Sequence, residues 1–302
     1  MTELRFDEEA TKRLLALYVT PDMVWQRGEF LRALDPKSGE RVLDVGSGPG
    51  FLAGAIGAAV ESRGAVHGVD ISEPLLAVAR THCAHQPWVE FHRADATQLP
   101  FPEQDFDAVI STQVLEYVRD VDRALAEIHR VIRTGGRTVI VDTDWDSMVW
   151  YSPNRDRMSR VLSAWEQHAA DSYLPRTMSN RLRHAGFQMD ATRIIPVFNA
   201  AYDANTYSNQ LIDSIVPFVS GRNGLTRNEA EAWAGEIRLA GKRGEYFFSL
   251  NRYLFLAKNT VARWSRRQGA WMNPRGLTLR STERAGTRLI SCPHRRGPPV
   301  SL

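Results

Sequence analysis

Cysteine is nearly absent: Cys83 and Cys292 are the only two in 302 residues. That excludes a disulfide framework and a four-thiolate zinc centre, and it is compatible with a reducing compartment. No run approaches the ~18 consecutive apolar residues that a membrane-spanning helix needs. The opening stretch Met1-Thr2-Glu3-Leu4-Arg5-Phe6-Asp7-Glu8-Glu9 lacks the basic-then-apolar layout of a signal peptide, so a cytoplasmic protein is expected. Lysine is scarce, at Lys12, Lys37, Lys242 and Lys258 alone. Positive charge is concentrated at one end. Residues 259–302 hold nine Arg and one Glu, so that residues 1–258 carry a net charge of −5 although the whole chain is +3. A mildly acidic body lacks the broad basic face that nucleic-acid binding usually requires.

What is present is an alternation of short apolar runs with helical patterns. Residues 8–35 show helical spacing interrupted at Thr20-Pro21 and read as two short helices, an N-terminal cap over residues 1–40. Strands are expected at Arg41–Val45, Ala65–Val69, Trp88–Phe91, Asp107–Ile110 and Arg137–Val141. Between them lie helices at about Phe51–Val60, after Ser72 with Pro74 in its first turn, and at about Val121–Ile132. Strands separated by helices mean a doubly wound, mostly parallel α/β sheet. Further on, helices are expected at about 155–170 and 176–185, and a strand at Ile194–Phe198. A helical insertion at about 205–242 carries the capping box Thr226-Arg227-Asn228-Glu229, and a last strand runs from Tyr246 to Leu256. The main domain is thus expected over 41–258. Residues 259–302 form a basic tail expected to be disordered, with eight Gly or Pro and no apolar period.

The strongest chemical signal is Asp44-Val45-Gly46-Ser47-Gly48-Pro49-Gly50, between a strand and a helix. Glycines there let the backbone approach a ligand, and the helix N-terminus behind them offers free N–H groups. Asp70, at the end of the second strand, is placed to accept from a ribose diol. These features alone fit more than one cofactor, since Gly48-Pro49-Gly50-Phe51-Leu52-Ala53 also matches a dinucleotide pattern.

Asp44 with Gly46, Gly48 and Gly50 resembles the first motif of the class I S-adenosylmethionine-dependent methyltransferases. The resemblance continues through Arg93-Ala94-Asp95-Ala96, Leu99-Pro100-Phe101, Phe106-Asp107-Ala108-Val109, Gln113-Val114-Leu115-Glu116-Tyr117 and Arg130-Val131-Ile132-Arg133-Thr134-Gly135-Gly136. Together these are similar to the small-molecule branch that includes ubiquinone and menaquinone biosynthesis methyltransferases, over about residues 41–142. The resemblance implies a seven-stranded Rossmann-like sheet and S-adenosylmethionine as cofactor. It implies that Gly46, Ser47, Gly48 and Gly50 pass under the methionine part and that Asp44 orients this loop or meets the ammonium group. Asp70 would take the ribose hydroxyls, Ile71 pack on adenine, Asp95 and the Ala96 amide contact the adenine edge, and Gln113 lie beside the methionine moiety.

Methyl transfer from a sulfonium is an in-line displacement in which positioning supplies much of the acceleration. A base is needed where the acceptor must lose a proton first. The candidates near the carboxyl ends of the strands are Glu116, Tyr117 and Asp144, with Asp142 and His168 beside them. Tyr18, Trp25, Trp145 and Trp150 are candidates to line the acceptor pocket, with Tyr151, Tyr202, Tyr207 and Phe218 as further aromatic surface and Arg27 as a carboxylate partner. The expected partner is therefore a small, partly apolar acceptor such as a quinone or polyketide. No Pro-Pro-aromatic motif follows the fourth strand, where Ser111-Thr112-Gln113 stand, and no cysteine occupies that place, so methylation of nucleic-acid bases is disfavoured. No metal site is expected, because His82, Cys83 and His85 on one helix cannot all point inward. Two alternatives stay open. One is an NAD(P)-dependent oxidoreductase, against which stands the absence of a Tyr-x-x-x-Lys pair. The other is a noncatalytic regulator that keeps the cofactor loop.

Overall fold

A computed structural model describes residues 8–260. The expectations for the first residues and for the basic tail lie outside the described part, save the last residues of the final strand.

Two helices come first, α1 (Glu8–Tyr18) and α2 (Pro21–Leu34), divided where Pro21 opens the second. The winding follows: β1 (Arg41–Val45), α3 (Phe51–Val60), β2 (Ala65–Asp70), α4 (Glu73–His82), β3 (Val89–Arg93), β4 (Phe106–Thr112), α5 (Val121–Val131) and β5 (Ile132–Trp150). The second half comprises α6 (Arg155–Trp165), α7 (Pro175–His184), β6 (Phe187–Asn199), α8 (Tyr207–Val219), α9 (Arg227–Lys242) and β7 (Phe248–Asn259). Helix α9 begins at the expected capping box, with both reciprocal hydrogen bonds formed.

The seven strands form one sheet in the order β3-β2-β1-β4-β5-β7-β6. β1 to β5 run parallel, and β7 is antiparallel to both its neighbours. The strand order reverses between β1 and β4, and in open α/β sheets ligands enter the crevice beyond the carboxyl ends of such a pair. Apolar residues bury both faces. Val42, Val66 and Val139 pack with α3 and α4 on one side, while Leu43, Val109 and Ile140 pack with α5 and α7 on the other.

Two strands differ from expectation. The segment Asp142–Trp150, past the expected end of the fifth strand at Val141, continues β5, with Asp142, Thr143 and Asp144 paired to Tyr253, Arg252 and Asn251 and an irregularity before Val149. β6 begins seven residues earlier than expected: Phe187, Met189 and Ala191 alternate with the exposed Gln188, Asp190 and Thr192, and this stretch pairs with β7 along the sheet edge. The resulting long β5–β7–β6 ribbon carries α6, α8 and α9, whose core of Trp150, Trp233, Ile212 and Phe248 is separate from those of the sheet. Among the described residues, no helix is long and apolar enough to cross a membrane.

Candidate functional site

The loop after β1 has one conformation open to it. Gly46 sits at φ +74°, where a Cβ would meet Val114 Cγ2 at 2.1 Å, and Gly50, at φ +80°, caps α3 with Ala79 and Phe91 about 3 Å from its own missing Cβ. The amides of Gly46 and Ser47 donate to the Val69 carbonyl at 2.7 and 2.9 Å. The Gly48 amide donates to Asp70 Oδ2 at 2.9 Å, and the Ser72 amide to Asp70 Oδ1 at 2.8 Å. Asp70 therefore holds the glycine loop and the start of α4 together at the end of β2.

The cleft over this loop contains about 470 Å³ of empty space, open in part to solvent. Asp44, Gly46, Ser47 and Pro49 form its floor, Thr112 and Gln113 its far wall, and Tyr18, Met23, Arg27 and Phe30 its roof, with Phe51 between. The Arg27 guanidinium lies 5.1 Å over the Phe51 ring and donates to the Tyr18 carbonyl. Tyr18 stacks on Phe51 at 6.1 Å, and its phenol is pushed up to about 12, by burial above all. It stays a neutral donor at physiological pH.

Asp44 is the unusual group. It is 1% exposed, and neither of its oxygens has a hydrogen-bond partner. Burial, reinforced by the neighbouring Asp70 charge, pushes its carboxyl up to about 7. The Ser47 hydroxyl beside it is also buried and unpartnered. Buried polar groups are nearly always satisfied, so this set fits a ligand that brings a positive, hydrogen-bonding group to the floor of the cleft. The ammonium end of S-adenosylmethionine is such a group.

The other expected cofactor residues ring the same end of the sheet. Ile71 is 64% exposed, a free apolar face next to Asp70. Asp95 accepts from the amide and hydroxyl of Thr97 at 2.7 Å, so its turn is locally braced, and Ala96 is buried behind it. Gln113 occupies a left-handed conformation at φ +58° after β4. Its side chain donates to the Val141 carbonyl and accepts from the Thr143 hydroxyl, which fixes it at the wall.

Glu116, Tyr117, Trp145 and His168 come together beyond that wall. Fully buried Glu116 accepts from the Thr143 amide at 2.7 Å and from Trp145 Nε1 at 3.3 Å, and the Tyr117 phenol bonds to it as well. Burial pushes Glu116 up to about 7, against the lowering pull of these donors and of Arg252. Asp142, buried next to it, is pushed up well above the carboxylate range by burial and by the Glu116 charge. The His168 ring stacks on Trp165 at 4.0 Å and meets Trp145 edge-on at 4.5 Å, and burial lowers it to about 4, which keeps it neutral.

Three expectations are corrected. Asp144 is set aside as a base, because Arg176 donates to both its oxygens at 2.8 and 3.0 Å and commits it to an ion pair. Trp25 is 49% exposed and stands outside the cleft lining. Trp150 packs edge-on against Trp233 at 5.6 Å and Phe248 at 4.7 Å, in the core of the helical insertion. Trp145 is buried too, but its indole N–H on Glu116 ties it to the site.

Sequence reasoning missed Arg252 and Gln26. Arg252, on β7, is 2% exposed; its Nη1 donates to Gln26 Oε1 and lies 3.2 Å from Met23 Sδ, and its guanidinium sits 4.9 Å over the Tyr207 ring. Nε has no partner. No local signal marks this residue, since an arginine in a strand reads as a solvated side chain until the pairing partners are known.

Comparisons with known proteins agree with this geometry. A methyltransferase-domain family model matches residues 43–140. An uncharacterized 37.1 kDa protein in transposon TN4556 of Streptomyces fradiae is 32% identical over 245 residues, covering 76% of this chain and 66% of that protein. A demethylmenaquinone methyltransferase of Symbiobacterium thermophilum is 30% identical over 186 residues, 54% of this chain and 74% of that enzyme. The first of these matches spans just under two thirds of its relative. Haemonchus contortus phosphoethanolamine N-methyltransferase 2, solved with S-adenosyl-L-methionine, shares the fold at a TM-score of 0.56 and 19% identity, over 85% of this chain and 58% of that one. With the glycine loop, the strand order and a curated relative covered across most of its length all in agreement, the chain belongs to the class I S-adenosylmethionine-dependent methyltransferases.

Proposed function

We propose that this protein transfers the methyl group of S-adenosylmethionine to a small, partly apolar acceptor that loses a proton on reaction, a quinol-like hydroxyarene being the best match. The observation that carries the cofactor half is the orphaned carboxylate of Asp44 at the floor of the cleft, with Asp70 close behind. Two carboxylates there attract a cationic amino-acid end and repel a pyrophosphate, which argues against the dinucleotide alternative. When bound, the cofactor supplies an activated methyl group on a sulfonium. Asp44 and the Ser47 hydroxyl hold its ammonium end, Asp70 its ribose, and Ile71 and the Asp95–Ala96 turn its adenine. Tyr18, Met23 and Phe30 roof the reacting centre and exclude water from it.

The acceptor half rests on Glu116. A carboxyl pushed up to about 7 is matched to removing a proton from a phenol or enol near neutral pH. Glu116 is itself fully buried, so the proton reaches it through the phenol of Tyr117, whose residue remains 37% exposed. The buried Arg252 cation favours the negative charge that develops on this side. Demethylmenaquinone methyltransferases among the relatives give the quinol class its support.

The direct test is thermal unfolding with candidate ligands. S-adenosylhomocysteine should raise Tm in a concentration-dependent way and NADH should not, because only a ligand of the native state stabilises it. The reverse pattern would sink the assignment. Asp70→Ala should weaken S-adenosylhomocysteine binding by on the order of 2 kcal/mol in calorimetry, through loss of the ribose acceptor and of the brace on the Gly48 amide. Unchanged affinity in a folded variant would show that the ribose is held elsewhere.

A further inference from the structure

The parallel pairing of β2 and β3 places three potential metal ligands on one face of the sheet, away from the glycine loop. In this register His67 faces Glu90, and His92 follows two residues on, so that all three side chains project to the same side. His67 Nδ1 lies 3.1 Å from His92 Nε2, and each of these nitrogens lies 3.8 Å from Glu90 Oε2. A point equidistant from the three atoms lies about 2.1 Å from each, which is the length of zinc–imidazole and zinc–carboxylate bonds. Among the described residues this is the one cluster of three such ligand atoms within bonding reach of a common ion.

The geometry points to a binding site for one zinc-like divalent transition-metal ion, held by His67 Nδ1, His92 Nε2 and Glu90 Oε2 with a fourth position open to water. The donor set of two imidazoles and one carboxylate suits such ions better than magnesium or calcium, which prefer oxygen ligands throughout.

The surroundings preorganise the ligands. Phe101 packs edge-on against both imidazoles, at 5.4 and 5.5 Å, and Phe106 against His67 at 5.7 Å. Asp105 pairs at 3.0 Å with Arg41, whose guanidinium lies over the Phe106 ring, which offsets the repulsion of a metal by that cation. His67 Nε2 is buried without a partner. That cost exists whichever nitrogen carries the proton, so ligation through Nδ1 adds nothing to it. An ion here would tie edge strand β3 to β2, the two strands that end at Asp70 and lead into the Asp95–Ala96 turn.

Calorimetric titration of Zn²⁺ into the full chain, stripped with chelator and free of any affinity tag, tests the site. Wild-type protein should bind an ion that Glu90→Gln and His92→Ala each weaken by roughly tenfold or more. Both side chains are partly exposed, at 60% and 37%, so the variants should fold, and each should keep the Tm rise with S-adenosylhomocysteine. Absence of zinc binding by the wild type, or binding that neither substitution weakens, overturns the site. A missing response to S-adenosylhomocysteine would count against the methyltransferase reading and leave the metal site standing.

Discussion

Asp44→Asn should weaken S-adenosylhomocysteine binding by about 3 kcal/mol, roughly 100-fold in Kd, because the ammonium group then enters a buried floor that offers no charge. The pH dependence is the sharper signature. Without ligand the Asp44 carboxyl sits at about 7, whereas the ammonium group requires it ionised. Wild-type affinity should therefore fall as pH drops below 7, by about tenfold per unit, and level off above about 8. In the asparagine variant the profile should be flat across this window. Stability of the ligand-free protein should move the opposite way. A raised carboxyl binds its proton more tightly when folded than when unfolded, so the wild type loses stability as pH rises from the ordinary aspartate value through 7. Asp44→Asn escapes that loss and should melt higher than wild type at about pH 8. A residue whose replacement stabilises the empty fold and weakens the ligand complex is a binding residue. If the variant binds with unchanged affinity and keeps the wild-type pH profile, the floor of the cleft does not hold the ammonium group.

Glu116→Gln should lower kcat with a hydroxyarene acceptor by about 10²- to 10⁴-fold while leaving S-adenosylhomocysteine affinity nearly unchanged. In the wild type the rate should rise with pH up to about 7, as Glu116 ionises, and this limb should vanish in the variant. Tyr117→Phe should reproduce most of the loss, since the phenol carries the proton to the buried carboxylate. Replacing the charge by an amide keeps an oxygen to accept from the Thr143 amide, so the variant should fold. Full turnover in Glu116→Gln would make this carboxyl a structural acceptor for Thr143 and Trp145. It would also point to an acceptor that attacks before losing its proton, such as a neutral amine.

Local chemistry in the chain determined a large part of this protein. Strand β1 and helix α3 lie where the apolar run Arg41–Val45 and the pattern Phe51–Val60 place them, and the Thr226 capping box opens α9, because turn and capping preferences act within a few residues. The glycine loop and Asp70 were legible for the same reason: a strand-to-helix turn that must pass close to a ligand leaves little choice of residue. What depends on which strands pair, and in what register, was not legible. The stretch Asp142–Trp150 has too little apolar alternation to read as a strand, and it is one because β7 runs alongside it. The same pairing takes Asp144 into the grip of Arg176, buries Arg252 against Tyr207 and sends Trp150 into the insertion core, while Trp145 stays on Glu116. His67 and His92 lie 25 residues apart in the chain and 3.1 Å apart in space. A one-residue slip of β3 would carry Glu90 and His92 to the opposite face, and only the packed sheet sets that register.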